Sequence, residues 1–376
     1  MARELGLGGT ERQLAEIALA LDREQFEPHV GCFTDGGFRA KELREAGVPI
    51  LELGVRSLVS PSAVEGARRM GAYLARHGIG LVHAFDVPLD LFAVPVARWY
   101  RTPVVLSSQR AHRDLSPGVT RHLLRITDRI VDGIVVNSRA VARALAEEDG
   151  VPASMVRLAY NGLDTSVFRR QGDRAVLPWG EAAVVVGTVC ALRPEKGLHT
   201  LMEAFRKVKA RRPGVKLAIV GSGPMLAELE AGSDGDCHFQ PAVGNVAPWL
   251  RAMDIFVLPS LSEALSNSLM EAMGCGCCPV ASRTGGNPEL VQDGETGLLF
   301  PVGDAEALAA RLALLLDEPE YRRELGAKAE RRMEEHFTRQ QAARAMGEIY
   351  LEFLAGPGGR AAEPSIRRAP HRVPLN

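Results

Sequence analysis

The chain has 376 residues, of which 46% are hydrophobic, and its formal net charge at pH 7 is −1. This length predicts about two packed domains, and the near-zero charge argues against nucleic acid as a partner. No apolar run reaches the roughly 18 residues of a membrane span, and no signal peptide is recognisable. The six cysteines cluster only at 275–278, without a partner motif or a nearby histidine for zinc. We therefore expect reduced thiols, no bound metal and a cytoplasmic location.

The first motif is a glycine-rich turn, GLGGTE at 6–11, which leads into apolar residues at helical spacing. Thr10 is the predicted N-cap of this helix, and Gln13 would complete a capping box. Such a turn normally follows a buried strand. The preceding residues, MAREL, are mostly polar and shorter than a usual strand. The first strand is therefore predicted to be missing.

Twelve short apolar segments alternate with helical stretches along the whole chain. This alternation predicts βαβ units with parallel sheets covered by helices on both faces, and twelve strands suit two sheets better than one. A charged stretch with Gly and Pro at 164–181 lacks periodicity and separates the halves. The predicted strands are residues 30–33, 50–53, 81–84, 104–107, 134–137, 156–160, 184–189, 217–220, 237–240, 255–258, 279–281 and 298–300.

The predicted fold class is therefore α/β, with two doubly wound, Rossmann-like domains that face each other across a cleft. The first domain spans 1–163, the linker 164–181 and the second domain 182–338. A C-terminal helix at 339–355 is expected to pack back on the first domain. The tail at 356–376 has four Pro and four Arg with few large apolar residues, and we expect it to be disordered.

Residues 98–143 contain nine Arg and three Asp, so this stretch is locally basic. One interpretation is an ordinary solvated face. The other is a binding site for an anionic acceptor or for an acidic membrane surface. The sequence leaves both open.

The most specific stretch is PSLSEALSNSLMEAMGCG at 259–276, directly after a predicted buried strand. Glu263 is predicted in the loop, and Glu271 in a helix that begins near Asn267, with Asn267 and Glu271 on one face. The free amides at the helix start, which include those of Ser268 and Leu269, suit a phosphate. Two carboxylates on either side of a phosphate fit a sugar joined through a diphosphate to a ribose. The alternative is two ordinary surface carboxylates.

A second stretch, GTVCALRPEKG at 187–197, places Arg193 and Lys196 beside a helix start. Two cations there suit a diphosphate leaving group, whose developing negative charge must be stabilised. The alternative is a solvated loop. Two further turns, GSGP at 221–224 and GGNPE at 285–289, suit close approach of the backbone to a ligand or a purely structural turn. None of the glycine turns completes a dinucleotide fingerprint.

Together, SEALSNSLMEAM, LRPEKG, VGSGP, GGNPELVQDGETGLLF, YNGLDTSVF and GGTE resemble the retaining nucleotide-sugar glycosyltransferases of the GT-B fold, family 4 (group 1). The resemblance covers residues 8 to about 354. It implies transfer of a sugar from a UDP or GDP sugar to a glycan or lipid-linked acceptor with retention of configuration. It also implies no metal or other cofactor, and a role in cell-surface polysaccharide or glycolipid synthesis at the inner face of the membrane.

The resemblance also assigns residue roles. Glu263 would contact the transferred sugar, and Glu271 the nucleotide ribose. Arg193 and Lys196 would grip the diphosphate. The implied donor-binding residues are Gly8, Gly9, Asn267, Ser268, Leu269 and Glu271.

The chain departs from the family at the end of the predicted strand 104–107. Many members carry a histidine there, where this sequence has Gln109 and Arg110, with His112 slightly later. Gln109 can hydrogen-bond a sugar hydroxyl but cannot act as a base, and Arg110 suits a leaving group or an anionic acceptor. His83 is the other candidate, either facing the cleft or serving a structural role.

Two rival functions stay open at this point. One is a non-catalytic sugar-nucleotide binder, suggested by Gln109 and the missing strand, and the other is a sugar-nucleotide epimerase of the same fold. Relatives usually place an apolar strand before the GGTE loop. We therefore expect a chain that starts upstream or is truncated, with two exposed strand edges.

Overall fold

The computed structural model describes residues 1–6, 8–34, 36–113, 117–180 and 183–356. The predicted α/β class is confirmed, because each of the twelve predicted segments contains a strand and all strand pairs are parallel. The predicted disordered tail lies, from residue 357 onward, outside the described residues. The strands are β1 (Val30–Cys32), β2 (Ile50–Glu52), β3 (Leu81–Ala84), β4 (Val104–Gln109), β5 (Gly133–Val136), β6 (Val156–Leu158), β7 (Val184–Val189), β8 (Val215–Val220), β9 (Cys237–Gln240), β10 (Ile255–Leu258), β11 (Cys278–Ser282) and β12 (Leu298–Phe300).

Helices connect these strands and cover the sheets. The helices are α1 (Gly9–Ala20), α2 (Phe38–Glu45), α3 (Pro61–His77), α4 (Val87–Trp99), α5 (Gly118–Thr127), α6 (Arg139–Glu148), α7 (Leu198–Lys209), α8 (Leu226–Ala231), α9 (Ala247–Arg251), α10 (Asn267–Gly274), α11 (Asn287–Leu290), α12 (Ala305–Asp317), α13 (Pro319–His336) and α14 (Arg339–Ala355). None of the helices in the described ranges is long and apolar enough to cross a lipid bilayer.

The second domain contains a six-stranded sheet in the order β12-β11-β10-β7-β8-β9. Its strands are apolar on both sides because helices cover both faces. Phe205 of α7 and Phe256 of β10, 1% and 0% exposed, lie in separate apolar clusters on opposite faces. Polar loops follow the carboxyl ends of these parallel strands, and the two predicted donor loops follow β7 and β10.

The first domain contains the sheets β1-β2 and β3-β4-β5-β6. No regular strand precedes α1 in the described residues, as predicted. The expected exposure of two strand edges does not follow, however, because residues 1–3 run between β1 and β3. The amide of Ala2 donates to the carbonyl oxygen of Gly31 at 3.1 Å, and the amide of Phe85 donates to that of Met1 at 2.9 Å. The polar side chains of this segment do not match the apolar pattern of a buried strand. Its backbone groups nevertheless form hydrogen bonds with residues next to β1 and β3.

Helix α14 packs on the first domain, where Met346 and Tyr350 join the apolar cluster of α1. The two chain crossings between the domains lie side by side. Leu163 donates its amide to the carbonyl oxygen of Phe337 at 2.8 Å, and Arg339 donates to that of Leu163 at 2.9 Å. These hydrogen bonds join the two crossing segments to each other. The joined segments position the two sheets so that their carboxyl ends face each other.

Candidate functional site

A cleft with about 1150 Å³ of empty space lies between the carboxyl ends of the two sheets. Both domains contribute to its walls, as the sequence predicted. Among the predicted site residues, seven line the cleft: Gly9, Arg110, Lys196, Glu263, Asn267, Ser268 and Glu271.

Glu263 stands in the loop after β10, and Lys196 in a 3₁₀ turn that follows β7. The Nζ atom of Lys196 donates to Oε1 of Glu263 at 2.6 Å, and the hydroxyl of Ser260 donates to the same oxygen at 2.8 Å. The two loops are also joined by their backbones, because the amide of Leu261 donates to the carbonyl oxygen of Glu195 at 2.9 Å. A cation and a carboxylate are thus held side by side at the end of the second sheet.

Helix α10 begins at Asn267, and Ser266 is its N-cap, accepting the amide of Leu269 at 3.3 Å. Leu269 is buried and its amide already has this partner, so its predicted contact with a phosphate stays a prediction. The amides of Asn267 and Ser268 lie in the first turn, and both residues line the cleft. This start of a helix presents N–H groups and a partial positive charge to the cleft.

The second glutamate of the pair, Glu271, lies on α10 and is buried. Its carboxylate forms an ion pair with the guanidinium of Arg12 from the first domain. Burial raises the pKa of Glu271, and the cations of Arg12 and Arg39 oppose that rise. A buried carboxylate that is reached by cations and open to the cleft can accept two hydroxyl groups in place of the Arg12 contact.

The start of α1 differs from the prediction. The helix begins at Gly9 with Gly8 as its N-cap and no side-chain cap, so Thr10 is inside the helix and the predicted capping box is wrong. The side-chain amide of Gln13 instead exchanges hydrogen bonds of 2.9 and 2.8 Å with the backbone of Gly162, at the end of the first domain. A long-range contact has replaced the local cap.

Asn267 connects the two domains at the floor of the cleft. Its Oδ1 atom accepts from Asn161 at 2.8 Å and from Gln13 at 3.1 Å, and its Nδ2 atom donates to the carbonyl oxygen of Gly9 at 3.2 Å. A Cβ atom on Gly9 would lie 2.8 Å from that Nδ2 atom, so a glycine is needed for this approach. The starts of α1 and α10 therefore meet at the same point.

The GGNPE turn also joins the domains. The carboxylate of Glu289 accepts the amides of Arg139 and Ala140 at 2.9 and 3.0 Å, which are the first two residues of α6 in the other domain. The hydroxyl of Tyr160 donates to the same carboxylate at 2.9 Å, and burial together with this bond raises the pKa of Tyr160 to about 12. Glu289 thus holds the two domains together at the start of α6. This contact favours a purely structural role for the GGNPE turn.

Comparison with known proteins gives the same two halves. A sequence model described as Glycosyltransferase Family 4 matches residues 7–167, and one described as Glycosyl transferases group 1 matches residues 183–318. The chain belongs to the group 1 glycosyltransferases of family 4. The family covers both domains, so the resemblance drawn from the motifs is confirmed.

Two relatives show how similar in sequence this family 4 chain is to known glycosyltransferases. It is 27% identical over 320 residues to a sulfoquinovosyl transferase of Arabidopsis thaliana, covering 77% of this chain and 60% of that protein. It is 32% identical over 232 residues to a lipopolysaccharide core biosynthesis glycosyltransferase of Rhizobium meliloti, covering 60% of this chain and 65% of that protein. The chain thus spans less than two thirds of the length of these relatives.

Solved structures show the fold of this family 4 chain. The Anabaena protein HepE in complex with UDP and glucose superposes with a TM-score of 0.80 at 19% identity, covering 93% of this chain and 99% of that one. Sucrose-phosphate synthase from Thermosynechococcus elongatus gives a TM-score of 0.76 at 20% identity, covering 94% and 98%. The two-domain arrangement is that of GT-B proteins.

Two predicted acceptor contacts of this family 4 chain lie elsewhere. His83 is buried away from the cleft, with Nδ1 2.8 Å from the hydroxyl of Tyr350 and Nε2 2.8 Å from that of Ser108. Burial holds the pKa of His83 well below its usual value. Gln109 is buried too, and its amide is occupied by the carbonyl of Ala111 at 2.6 Å and by Arg113 at 2.9 Å. These partners favour the structural role for His83, and the predicted contact of Gln109 with a sugar stays a prediction.

Gly8 and Arg193 also lie outside the cleft lining. Gly8 is exposed at the start of α1, and Arg193 is exposed before the 3₁₀ turn. The side chain of Arg193 makes no hydrogen bond or ion pair within the part of the chain that the structure describes. Both lie next to lining residues, Gly9 and Lys196, so their predicted roles with the donor stay predictions.

Sequence reasoning missed several polar residues that line the cleft, among them Arg12, Arg39, Asn137 and Asn161. Arg12 follows the GGTE motif directly, which was a usable signal. Arg39 follows the glycine pair 36–37, and Asn161 lies in the YNGLD stretch. Arg39 and Asn161 thus lie near recognisable motifs, but no local sequence pattern indicates that their side chains point into the cleft.

The loop that holds Glu263 depends on Gly285. A Cβ atom there would lie 1.5 Å from the carbonyl oxygen of Glu263, and the φ angle is +49°. We expect Gly285→Ala to lower the free energy of unfolding by about 1–3 kcal/mol and to reduce activity by displacing Glu263. Gly303→Ala is the matched control, because Gly303 has a φ of +73° but no atom near its Cβ position. Equal losses in urea unfolding of the two variants would contradict the account.

Proposed function

We propose that this chain transfers a sugar from a nucleoside-diphosphate sugar, of the UDP or GDP type, to a glycan or lipid-linked acceptor with retention of anomeric configuration. The observation that carries the proposal is the meeting, in one cleft, of the α10 start, Lys196, Glu263 and Glu271. HepE has been solved with UDP and with UDP-glucose, which favours UDP as the nucleotide.

In the proposed mechanism the diphosphate lies against the amides at the start of α10, with Lys196 and the neighbouring Arg193 beside it. Glu271 accepts the ribose hydroxyls, and Glu263 accepts a hydroxyl of the transferred sugar. The bond from the anomeric carbon to the phosphate oxygen breaks as Lys196 stabilises the charge on the leaving diphosphate. These cations take the place that a metal ion would otherwise fill.

The acceptor hydroxyl attacks the anomeric carbon from the same face as the leaving group, which retains configuration. Its proton passes to the departing phosphate oxygen, so atoms and charge balance without a protein base. The positions of His83 and Gln109 support this route, because the first has both ring nitrogens engaged and the second cannot accept a proton. Glu263 stays a hydrogen-bond acceptor and electrostatic partner throughout.

The experiment that tests this proposal follows slow hydrolysis of UDP-glucose by proton NMR, with and without EDTA. Retention predicts α-glucose as the first product, at an unchanged rate in EDTA. First appearance of β-glucose would overturn retention, and a rate abolished by EDTA would overturn metal independence. UDP binding without any turnover, on water or on acceptors, would favour the non-catalytic binder, and an epimerised free sugar would favour the epimerase.

We further propose that the acceptor is met at the inner face of the cell membrane, in cell-surface polysaccharide or glycolipid synthesis. The support is an exposed apolar patch on the first domain: Trp99 is 83% exposed, and Val119, Leu123 and Ile126 of α5 are 75, 41 and 44% exposed. Arg98 of α4 and Arg121 and Arg125 of α5 lie on the same helices, and each is paired with a carboxylate, such as Arg98 with Asp132 at 2.7 Å. Aromatic and apolar side chains among cations suit an anionic lipid surface.

Liposome sedimentation tests the patch. We expect the protein to bind phosphatidylglycerol vesicles at low salt and to be released as salt rises, because the attraction is electrostatic. Leu123→Asp should reduce binding severalfold. Val302→Asp is the control, since Val302 is 43% exposed but lies on the second domain. No binding at low salt, or equal binding of both variants, would remove the patch from the account.

A further inference from the structure

The first-domain wall of the cleft is basic. Arg12, Arg39 and Arg110 line it, and within the described ranges the only carboxylates in the lining, Glu263 and Glu271, come from the second domain. Arg12 is paired with Glu271. The charge of Arg39 also acts on Glu271, where it opposes the rise of that pKa. Arg110 is bonded to neither of these glutamates.

Arg110 has no carboxylate partner among the residues that the structure describes. Its Nη1 atom donates to Oδ1 of Asn161 at 2.8 Å, and its guanidinium lies 4.8 Å from the ring centroid of Phe85. Its Nε atom is buried without a hydrogen-bond partner. Burial lowers the pKa of Arg110 to about 10, and no carboxylate opposes that shift. Buried charges in proteins are normally paired, so this cation lacks a counter-ion.

Two further unsatisfied groups lie on the same wall. Arg39 is 8% exposed, and its Nε atom has no partner although Nη1 contacts Glu42 at 2.9 Å. Asn137, 2% exposed at the end of β5, has a buried Oδ1 atom with no partner. Rotation of the side-chain amide by 180° exchanges its oxygen and nitrogen atoms, so Asn137 can present N–H groups to the cleft. The half-buried Arg110 and the buried Arg39 and Asn137 therefore each have a buried polar atom without a hydrogen-bond partner.

We propose that the acceptor carries an anionic group of the phosphate or carboxylate class, which pairs with Arg110 on the wall that also holds Arg39 and Asn137. This inference rests on the proposed function, since it concerns the acceptor of the same site. In the proposed mechanism the donor diphosphate lies against Lys196 and the start of α10 in the opposite domain, so we assign the counter-ion of Arg110 to the acceptor and test it with the donor phosphates already bound.

The test measures calorimetric binding of inorganic phosphate to protein saturated with UDP, so that the donor phosphate site is already filled. Wild-type protein should bind phosphate, and Arg110→Gln should bind it at least about tenfold more weakly, because a charge-assisted hydrogen bond is lost. Arg110→Lys should recover part of the affinity. Arg68→Gln is the control, since Arg68 is an exposed residue of α3.

Several results would overturn the inference. These are the absence of phosphate binding in the UDP-saturated wild type, and equal affinities of Arg110→Gln and wild type. If Arg110→Gln does not fold, Arg39→Gln decides, with a weaker phosphate affinity expected and an unchanged affinity contradicting the proposal.

A second arm separates the acceptor from the transferred sugar as the source of the anion. Arg110→Gln should leave the affinities for UDP-glucose and UDP-glucuronate equally unchanged. A selective loss for UDP-glucuronate would place the anion on the donor sugar and overturn the acceptor assignment. Failure of the wild type to bind any nucleoside diphosphate would refute the proposed function instead, so the two failures are distinguishable.

Discussion

Lys196→Met is expected to lower the turnover number for UDP-glucose cleavage by about 10²- to 10³-fold, with a much smaller effect on UDP affinity. The reason is that the Lys196 ammonium, held 2.6 Å from Glu263, lies where the leaving diphosphate gains charge in the transition state. Its contribution is therefore larger in the transition state than in the bound ground state. Steady-state UDP release measures the turnover number and the KM for UDP-glucose, and calorimetry measures the affinity for UDP.

Lys328→Met is the control for this variant, because Lys328 is an exposed residue of α13 that pairs only locally with Glu324. It should leave both parameters unchanged. If Lys196→Met instead raises KM for the donor with an unaltered turnover number, Lys196 binds the ground state and is not catalytic. An unchanged turnover number and KM would place the reaction elsewhere.

Glu271→Gln is expected to weaken UDP binding by about 10- to 100-fold, because a buried carboxylate that accepts two ribose hydroxyls is replaced by a neutral amide. Calorimetry with UDP measures this directly. Glu263→Gln is the matched control, since in the proposed mechanism Glu263 contacts the transferred sugar, which UDP lacks. The account fails here if both variants bind UDP like the wild type, or if the loss is the same for both.

The pH dependence of UDP affinity should also differ between the wild type and Glu271→Gln. Burial raises the pKa of Glu271, so its carboxylate becomes protonated at a higher pH than an ordinary glutamate. Wild-type affinity for UDP should therefore fall as the pH is lowered through that raised pKa, because the neutral acid accepts hydroxyl groups less well. Glu271→Gln should lack this part of the dependence, while the titration of UDP itself is common to both proteins.

The fold could be predicted because apolar strands and periodic helices are local patterns. The second-domain half of the site could be predicted for the same reason: Glu263, Asn267 and Glu271 lie within one strand–loop–helix segment. The pair Arg12–Glu271 joins residues 259 positions apart, and no local pattern specifies such a contact. Thr10 shows the converse, since a sequence that suits a capping box forms none when Gln13 is drawn to Gly162.

The first-domain half of the site was harder to predict because its polar residues come from separate loops. His83 and Gln109 stand at strand ends, where parallel sheets place ligand-binding residues, yet each is satisfied by a neighbour. Arg110, one position further along, is the residue that turns into the cleft. Neighbouring positions therefore differ in whether the side chain lies in the core or in the cleft. Contacts with Tyr350 of α14 hold His83 in the core, and a contact with Arg113 does so for Gln109.

The most direct test of the central claim, that this cleft binds a nucleoside diphosphate, is a thermal-shift titration of the wild-type protein with UDP, GDP and ADP. The account predicts that UDP or GDP raises Tm progressively, corresponding to about 2.7 kcal/mol at a hundredfold excess over Kd, and that ADP does so least. No increase in Tm with any of the three nucleotides would contradict it.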